Sequence, residues 1–266
     1  MTPVDGVEDF RAAQVVLRES LLVTQAGSDL DVGHLTLICS GRGGNYDLSS
    51  ADNQVVQLTA ILPGGNLILN DNGDLALDGL RLASGRLVTQ AEVRQIAGSE
   101  LHVAGRLEVV SRGDSAGINL RETGNHAGEI DFRAGTGGVA WYSHDGFAIS
   151  RLSTTGTISL LTNDVVRQLR PGAVEGRSLA LRGMGSFELF VTASARLDVA
   201  SQLDRNHSLL KLASDQPWQV TALDGIAGLR AQEVELRVVS QPGASLLASD
   251  SAIAQAVSIP GNQIET

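Results

Sequence analysis

The chain has 266 residues, 42% of them apolar, and a formal net charge of −10 at neutral pH. The apolar fraction excludes a wholly disordered protein, and the acidic charge argues against nucleic acid as a partner. Cys39 is the single cysteine, so no disulfide can form within the chain. No stretch approaches the roughly 18 to 20 consecutive apolar residues of a membrane-spanning helix, so we expect no membrane span.

Two segments near the amino-terminal end recur later in the chain. The segment 22–26 returns unchanged at 87–91, an offset of 65, and 27–32 matches 98–103 at an offset of 71. Such self-similarity is typical of repeat architectures. If the offset spans three turns of a coil, each turn has roughly 22 to 24 residues.

A short pattern of one aliphatic residue, one variable residue and a second aliphatic residue recurs along the chain. This period of two predicts short strands with one buried face. The variable residue is often charged or polar, as expected for a side chain that faces water. The pattern occurs at 30–32, 67–69, 75–77, 80–82, 101–103, 107–109, 118–120, 130–132, 158–160, 179–181, 197–199 and 234–236.

Gly, Ser, Asn and Asp separate these short strands and predict tight corners. Strands of about three to five residues are too short and too uniform for a sandwich and fit a coil instead. We therefore predict an all-β fold, a right-handed parallel β-helix of roughly eleven turns, forming a rod roughly 50 to 55 Å long. Residues 1–266 are expected to form a single domain, a fragment of a longer repeat protein. Two short helices, at Asp52–Leu62 and Asn163–Leu169, are expected as excursions from the coil.

Few segments suggest chemistry. The loop Asn70–Asp74 carries oxygen ligands suited to calcium, but an ordinary corner is the favoured interpretation. The glycine-rich segments 41–44 and 135–138 lack the Gly-Lys-Ser/Thr sequence of a phosphate-binding loop. The five histidines do not have metal-ligand spacing. We therefore expect no metal, no cofactor and no catalytic residues.

Acidic residues at strand centres raise the alternative of an enzymatic groove, because β-helical glycosidases and lyases place carboxylates along one sheet. A solvated face is the favoured interpretation, since acids alternate with leucine throughout the chain. The acids concerned are Asp31, Glu108, Asp131, Asp198 and Glu235. In the mixed segment 141–145, Trp141 and Tyr142 are candidate contacts for a glycan, on whose rings a sugar would stack.

Three segments resemble the degenerate repeats of large bacterial surface proteins related to filamentous haemagglutinin adhesins. They are Ile118–Gly124, the related phrase Gln14–Ser20 and the stretch Phe147–Thr162. The resemblance implies a secreted protein with a long right-handed β-helix that displays binding modules for cell contact or biofilm. The chain is richer in arginine than such repeats usually are, and no secretion domain is evident.

The sequence therefore predicts a non-catalytic β-helical segment of a secreted or cell-surface adhesin, serving as spacer and contact surface. Its expected partners are a host or neighbouring-cell glycan or protein and further repeats of the same polypeptide. Residues Met1–Asp9 do not resemble a secretory signal, so export would require a signal outside this segment. A carbohydrate-active β-helical enzyme and a cytosolic β-solenoid assembly protein are the alternatives.

Overall fold

The computed structural model describes residues 9–41, 43–204, 206–239 and 253–260. These residues form a right-handed parallel β-helix of about eleven turns, as the sequence predicted. With about 4.8 Å between stacked strands, eleven turns give a rod roughly 50 Å long. No helix in the described ranges has the length and apolar character to cross a membrane.

Twenty-four strands are labelled in chain order. They are β1 (Asp9–Arg18), β2 (Leu22–Thr24), β3 (Asp29–Ile38), β4 (Asn45–Ile61), β5 (Asn66–Asp71), β6 (Leu75–Leu82), β7 (Ser84–Thr89), β8 (Val93–Gln95), β9 (Leu101–Ser111), β10 (Ile118–Leu120), β11 (His126–Arg133), β12 (Val139–Tyr142), β13 (Phe147–Ser153), β14 (Thr157–Leu161), β15 (Val165–Gln168), β16 (Val174–Glu175), β17 (Ser178–Gly183), β18 (Ser186–Thr192), β19 (Leu197–Leu203), β20 (Leu209–Ser214), β21 (Trp218–Val220), β22 (Leu229–Arg230), β23 (Glu233–Val239) and β24 (Ile253–Pro260).

The strands stack into three faces of parallel pairs. The first face contains β8, β10, β12, β14, β17, β19 and β21 in that order. The second contains the end of β6, the starts of β9, β11 and β13, then β15, β18, β20 and β23. The third contains β2, the start of β4, β5 and β7, then the ends of β9, β11 and β13, and β16.

The turns are shorter than the sequence predicted. Paired residues commonly lie about 20 positions apart, as Ala60 and Leu80 do. The extremes are 17, between Val174 and Val191, and 28, between Ser201 and Leu229. The predicted turn length was too long because the prediction divided the 65- and 71-residue offsets by a whole number of turns.

The inside of the coil is filled by stacked aliphatic side chains. In β9, Leu101 and Val103 are fully buried, whereas His102 between them is exposed, so the predicted alternation is confirmed there. Leu35, Leu58 and Leu77 lie in register on successive turns and form one such stack. Burial of each leucine contributes about 1.5 to 3 kcal/mol, so stacked neighbours supply the stability that one turn lacks.

Buried amides close two of the corners. The Asn53 side chain accepts the Leu30 backbone N–H at 3.0 Å, donates to the Leu48 carbonyl at 2.8 Å and exchanges two hydrogen bonds with the Gln25 amide. Asn125 repeats every one of these contacts with Leu101, Leu120 and Gln95. Each corner thus satisfies buried backbone groups that a turning strand leaves unpaired.

This pairing of an Asn and a Gln side chain, which we call the corner device, explains the repeat at an offset of 71. The first copy links the third face to the first, between β2 and β3, but the second links the first face to the second, between β8 and β9. Leu101 stacks, through Leu80 and Ala60, on Leu37 and not on Leu30, its equivalent in the repeat. The repeat therefore spans three turns and one further face.

Both predicted helices are wrong. Asp52–Leu62 lies almost entirely in β4, and Asn163–Leu169 contains β15. Val55 is buried while its neighbour Val56 is 59% exposed, which is a strand alternation. Branched side chains such as these favour extended backbone over helix.

The two ends of the coil differ. At the carboxyl end, β24 pairs with β23 in the antiparallel direction, so it covers the edge of the last turn. At the amino end, β1 pairs with β3 on one side. Several apolar side chains near that end are exposed: Phe10, Val16, Leu21 and Leu22.

Candidate functional site

A small hairpin outside the coil carries Asp224, which contacts several side chains of the first face. Leu223 and Ile226 exchange two backbone hydrogen bonds of 2.9 and 2.8 Å around the pair Asp224-Gly225. Both central residues have positive φ, 50° and 78°. This is the backbone of a type I′ turn, for which Asp-Gly is a preferred pair. Ile226 packs against Ala180 and Ala200 on the outside of β17 and β19, so the hairpin is anchored to the first face.

The carboxylate of Asp224 contacts side chains from three turns of that face. Arg121 Nη1 lies 3.1 Å from both carboxylate oxygens, Ser159 Oγ donates to Oδ2 at 2.7 Å, and Arg182 Nη2 lies 3.2 Å from Oδ2. Arg182 also donates to the Asp224 backbone carbonyl. Residues 42 to 103 positions away in sequence thus hold one side chain in place.

Tyr142 completes this group. Arg121 Nη1 donates to the Tyr142 hydroxyl at 2.9 Å, and the guanidinium carbon lies 5.3 Å from the centre of the phenol ring. That separation is within cation–π range. The Tyr142 hydroxyl in turn lies 3.4 Å from Asp224 Oδ2. We call Arg121, Tyr142, Ser159, Arg182 and Asp224 the Asp224 cluster.

The electrostatics of this cluster favour an ionised carboxylate. Burial works to raise the pKa of Asp224, since it penalises the charged form. The hydrogen bond from Ser159 and the charges and hydrogen bonds of Arg121 and Arg182 outweigh that effect, so the pKa lies below its ordinary value. Asp224 is therefore suited to accept hydrogen bonds and unsuited to act as a general acid near neutral pH.

A cleft of about 330 Å³ lies beside the cluster on the first face. Its lining includes Arg121, Ser159 and Asp224 of the cluster, residues of β10, β12 and β14, and Glu92. Its further lining residues are Ser115, Gly117, Ile118, Asn119, Gly137, Val139, Ala140 and Thr157. The volume lies at the lower end of the range for small-molecule sites.

The structure separates the two predicted glycan contacts. Trp141 is fully buried inside the coil, edge-on to Phe132 and Phe147 at ring-centre distances of 5.6 and 6.3 Å. No sugar can stack on Trp141, so this part of the prediction is wrong. The alternation of β12 places Val139 and Trp141 inside and directs Tyr142 outward to Arg121. Tyr142 as a glycan contact stays a prediction.

The predicted strand-centre acids lie outside the coil, where arginines neutralise them. Asp131, whose side chain is only 4% exposed, pairs with Arg106 and, at 3.2 Å, with Arg133. Glu108 pairs with Arg133 at 3.2 Å and with Arg86 at 3.5 Å. These pairs, together with Glu129 at 3.6 Å from Arg106, form what we call the arginine ladder of the third face.

The other three acids have similar partners. Asp31 pairs with Arg11 at 3.5 Å, Asp198 with Arg196 at 3.4 Å, and Glu235 with Arg237. The outward positions of these acids agree with the solvated-face interpretation, but Asp131 is buried and is not solvated. The arginine partners are a feature that the sequence reasoning missed.

The loop Asn70–Asp74 is a corner of the coil. Asp71 directs its two oxygens to backbone N–H groups of Val55, at 2.6 Å, and Gly73, at 3.0 Å. Burial raises the pKa of Asp71 to about 6, against the effect of these hydrogen bonds. Within the described ranges, no three His, Cys, Asp or Glu side chains converge in the manner of a metal site.

A second groove, of about 530 Å³, crosses the second face. His102 and His126 stack there with ring centres 6.5 Å apart, and each contacts one carboxylate, Glu100 at 3.1 Å and Asp145 at 2.9 Å. Both histidines are substantially exposed, with side chains 50% and 38% accessible. Among its described residues, the groove lacks an acid held by two arginines, the feature that distinguishes the cleft beside Asp224.

Comparison with family models, with curated proteins and with solved structures gives no match to this chain. The resemblance to filamentous haemagglutinin repeats therefore stays a prediction based on the sequence alone.

Proposed function

We propose that this chain is a non-catalytic β-helical segment of a secreted or cell-surface adhesin, an elongated spacer that also carries a contact surface. The observation that carries the proposal is the pairing of the outer acids with arginines. Asp131 contacts two arginines and Glu108 contacts three, so both carboxylates are engaged in ion pairs. The coil thereby has a stable, repetitive exterior, which suits a spacer.

The geometry of the first face supports the contact role. Asp224 is an ionised acceptor held by arginines, whereas hydrolysis of a glycoside needs one carboxylic acid with a raised pKa facing a second carboxylate. The pKa of Asp224 is shifted in the opposite direction. A cleft built around such a group suits binding without turnover.

Incubation with polysaccharides tests the non-catalytic part. Purified protein is expected to leave pectin, alginate, hyaluronan and neutral glycans uncut, as judged by released reducing or unsaturated sugar. Release of sugar by the wild type that Asp224→Asn abolishes, with Asp198→Asn as the control, would favour the carbohydrate-active enzyme.

Antibody labelling of intact cells of the source organism tests the surface location. We expect labelling without permeabilisation and a signal that protease treatment of intact cells removes. Labelling that requires permeabilisation contradicts the adhesin proposal and favours the cytosolic assembly protein.

A further inference from the structure

Asp224 and Arg121, two members of the Asp224 cluster that line the cleft, leave hydrogen-bonding capacity unused. Oδ2 of Asp224 lies near Arg121, Ser159, Arg182 and Tyr142, whereas Oδ1 accepts from Arg121 Nη1 alone among the residues that the structure describes. A carboxylate offers about four lone-pair sites, so Oδ1 retains room for another donor. Among the described residues, all hydrogen bonds of the Arg121 side chain come from Nη1, which leaves Nε and Nη2 available.

An available acceptor therefore lies beside an available pair of donors. Two adjacent hydroxyl groups match this arrangement, because one hydroxyl donates to the carboxylate while its neighbour accepts from the guanidinium. Asn119 and Glu92 line the same cleft, and within the described part of the chain their side chains form no hydrogen bond to protein. They supply further donors and acceptors for ring hydroxyls.

The charge balance selects against an anionic ligand. The single charge of Asp224 offsets half of the positive charge of Arg121 and Arg182, and Glu92 brings the local sum to zero. The whole chain carries −10. A uronate or phosphate would therefore meet two carboxylates and no net positive charge around the cleft.

We infer that the cleft beside Asp224 binds a neutral, hydroxyl-rich ligand, one or two pyranose rings of a glycan, through a vicinal diol held between Asp224 and Arg121. The site is preorganised, since side chains from three turns of the coil and a type I′ turn fix the carboxylate before a ligand arrives. The inference rests on the proposed function, because it locates the contact surface of the spacer.

A glycan array that contains neutral and uronate-bearing glycans tests the inference. We expect retention of neutral glycans and no retention of oligogalacturonate or hyaluronan fragments. Calorimetry with the retained neutral glycan is expected to give at least a tenfold weaker affinity for Arg121→Gln and Asn119→Ala. Asn119 lies outside the hairpin, so Asn119→Ala tests the cleft even if changes in the cluster loosen the hairpin.

Matched controls are Arg167→Gln, which makes the same charge change on the second face, and Asn72→Ala at an exposed corner. Both are expected to bind as the wild type does. Three outcomes overturn the inference: no neutral glycan is retained, an anionic glycan binds more tightly than a neutral one, or the cleft variants bind as well as the controls. Cleavage of the bound glycan would instead contradict the proposed function and leave the recognition of a neutral glycan intact.

Discussion

The Asp224 cluster and the arginine ladder both contain arginines around an acid, but their roles differ. In the ladder, Asp131 is 4% exposed and lies between two arginines, which also pair with Glu108 and Glu129. In the cluster, Asp224 is 22% exposed and borders an open cleft. The ladder satisfies its charges internally and stabilises the coil, whereas the cluster keeps hydrogen-bonding capacity for a ligand. Both sites contain carboxylate and guanidinium groups. They differ in how much hydrogen-bonding capacity remains, and this separates a structural network from a candidate binding site.

Removing the cations of the ladder is expected to have the largest effect on stability. The double variant Arg106→Met/Arg133→Met leaves the Asp131 carboxylate buried and unpaired, which costs about 3 to 5 kcal/mol of unfolding free energy at pH 7. Urea denaturation measures this loss. Adding Asp131→Asn should restore most of the stability, because the charge is removed with its partners. A double variant as stable as the wild type would show that the ladder is not structural.

Asp71 sharpens the comparison, since it is buried like Asp131 but makes no ion pair among the described residues. Its pKa is raised from 3.8 to about 6, so the folded state binds more protons than the unfolded state between these values. The contribution of Asp71 to stability therefore falls as the pH rises through this window.

The measurement is the difference in unfolding free energy between the wild type and Asp71→Asn at pH 4 and pH 7. We expect this difference to shift by about 2 kcal/mol, with the wild type relatively more stable at pH 4. Comparing the two proteins cancels the contributions of other carboxylates. A difference that stays constant with pH means that Asp71 does not titrate in this window.

Removing the acid of the cluster is expected to have a local effect. Asp224→Ala should change the global unfolding free energy by less than about 1 kcal/mol, because the hairpin lies outside the coil. Limited proteolysis should cut the variant faster between Thr221 and Gly228. Asp131→Ala is the control and should show the reverse, lower global stability without new cleavage at the hairpin. Similar stability losses in the two variants would remove the distinction between cluster and ladder.

The smallest effect is expected for an exposed ion pair on the same face. Asp198 lies 3.4 Å from Arg196, whose side chain is 59% exposed. Asp198→Asn should change the unfolding free energy by less than about 0.5 kcal/mol, since exposed pairs contribute little. A loss in urea denaturation well above that of an exposed pair would mean that this pair belongs to a network like the ladder.

The coil could be predicted from the sequence because its strands and corners are specified by residues that are close together in the chain. The period of two identified the buried residues of β9 and β17, and Gly, Asn and Ser marked corners. The same alternation, counted from Val139, would have placed Trp141 inside. The glycan prediction failed because it weighed the chemical character of Trp141 above its position in the strand.

The cluster was harder to predict because its members are distant in sequence. Arg121 and Asp224 are 103 residues apart, and no spacing rule connects them. One signal was available: Leu223-Asp224-Gly225-Ile226 is an aliphatic pair around Asp-Gly, which indicates a tight hairpin. The face on which that hairpin lies depends on the length of every preceding turn. That length is not constant, since Val174 pairs with Val191 across a short turn and Ser201 with Leu229 across a long one.

The corner device of Gln25 with Asn53 and of Gln95 with Asn125 has a consequence for the symmetry of the rod. Its two copies are about three and one-third turns apart, so the repeat and the turn are incommensurate. Each copy is rotated by about a third of a revolution relative to the previous one. A chain made of such units would present a given corner to each side of the rod in succession, and the same side would return only with every third unit. Similar sequences in two units would then indicate the same local structure facing a different side of the rod. A spacer of this kind would display its contacts along a helical path around the rod.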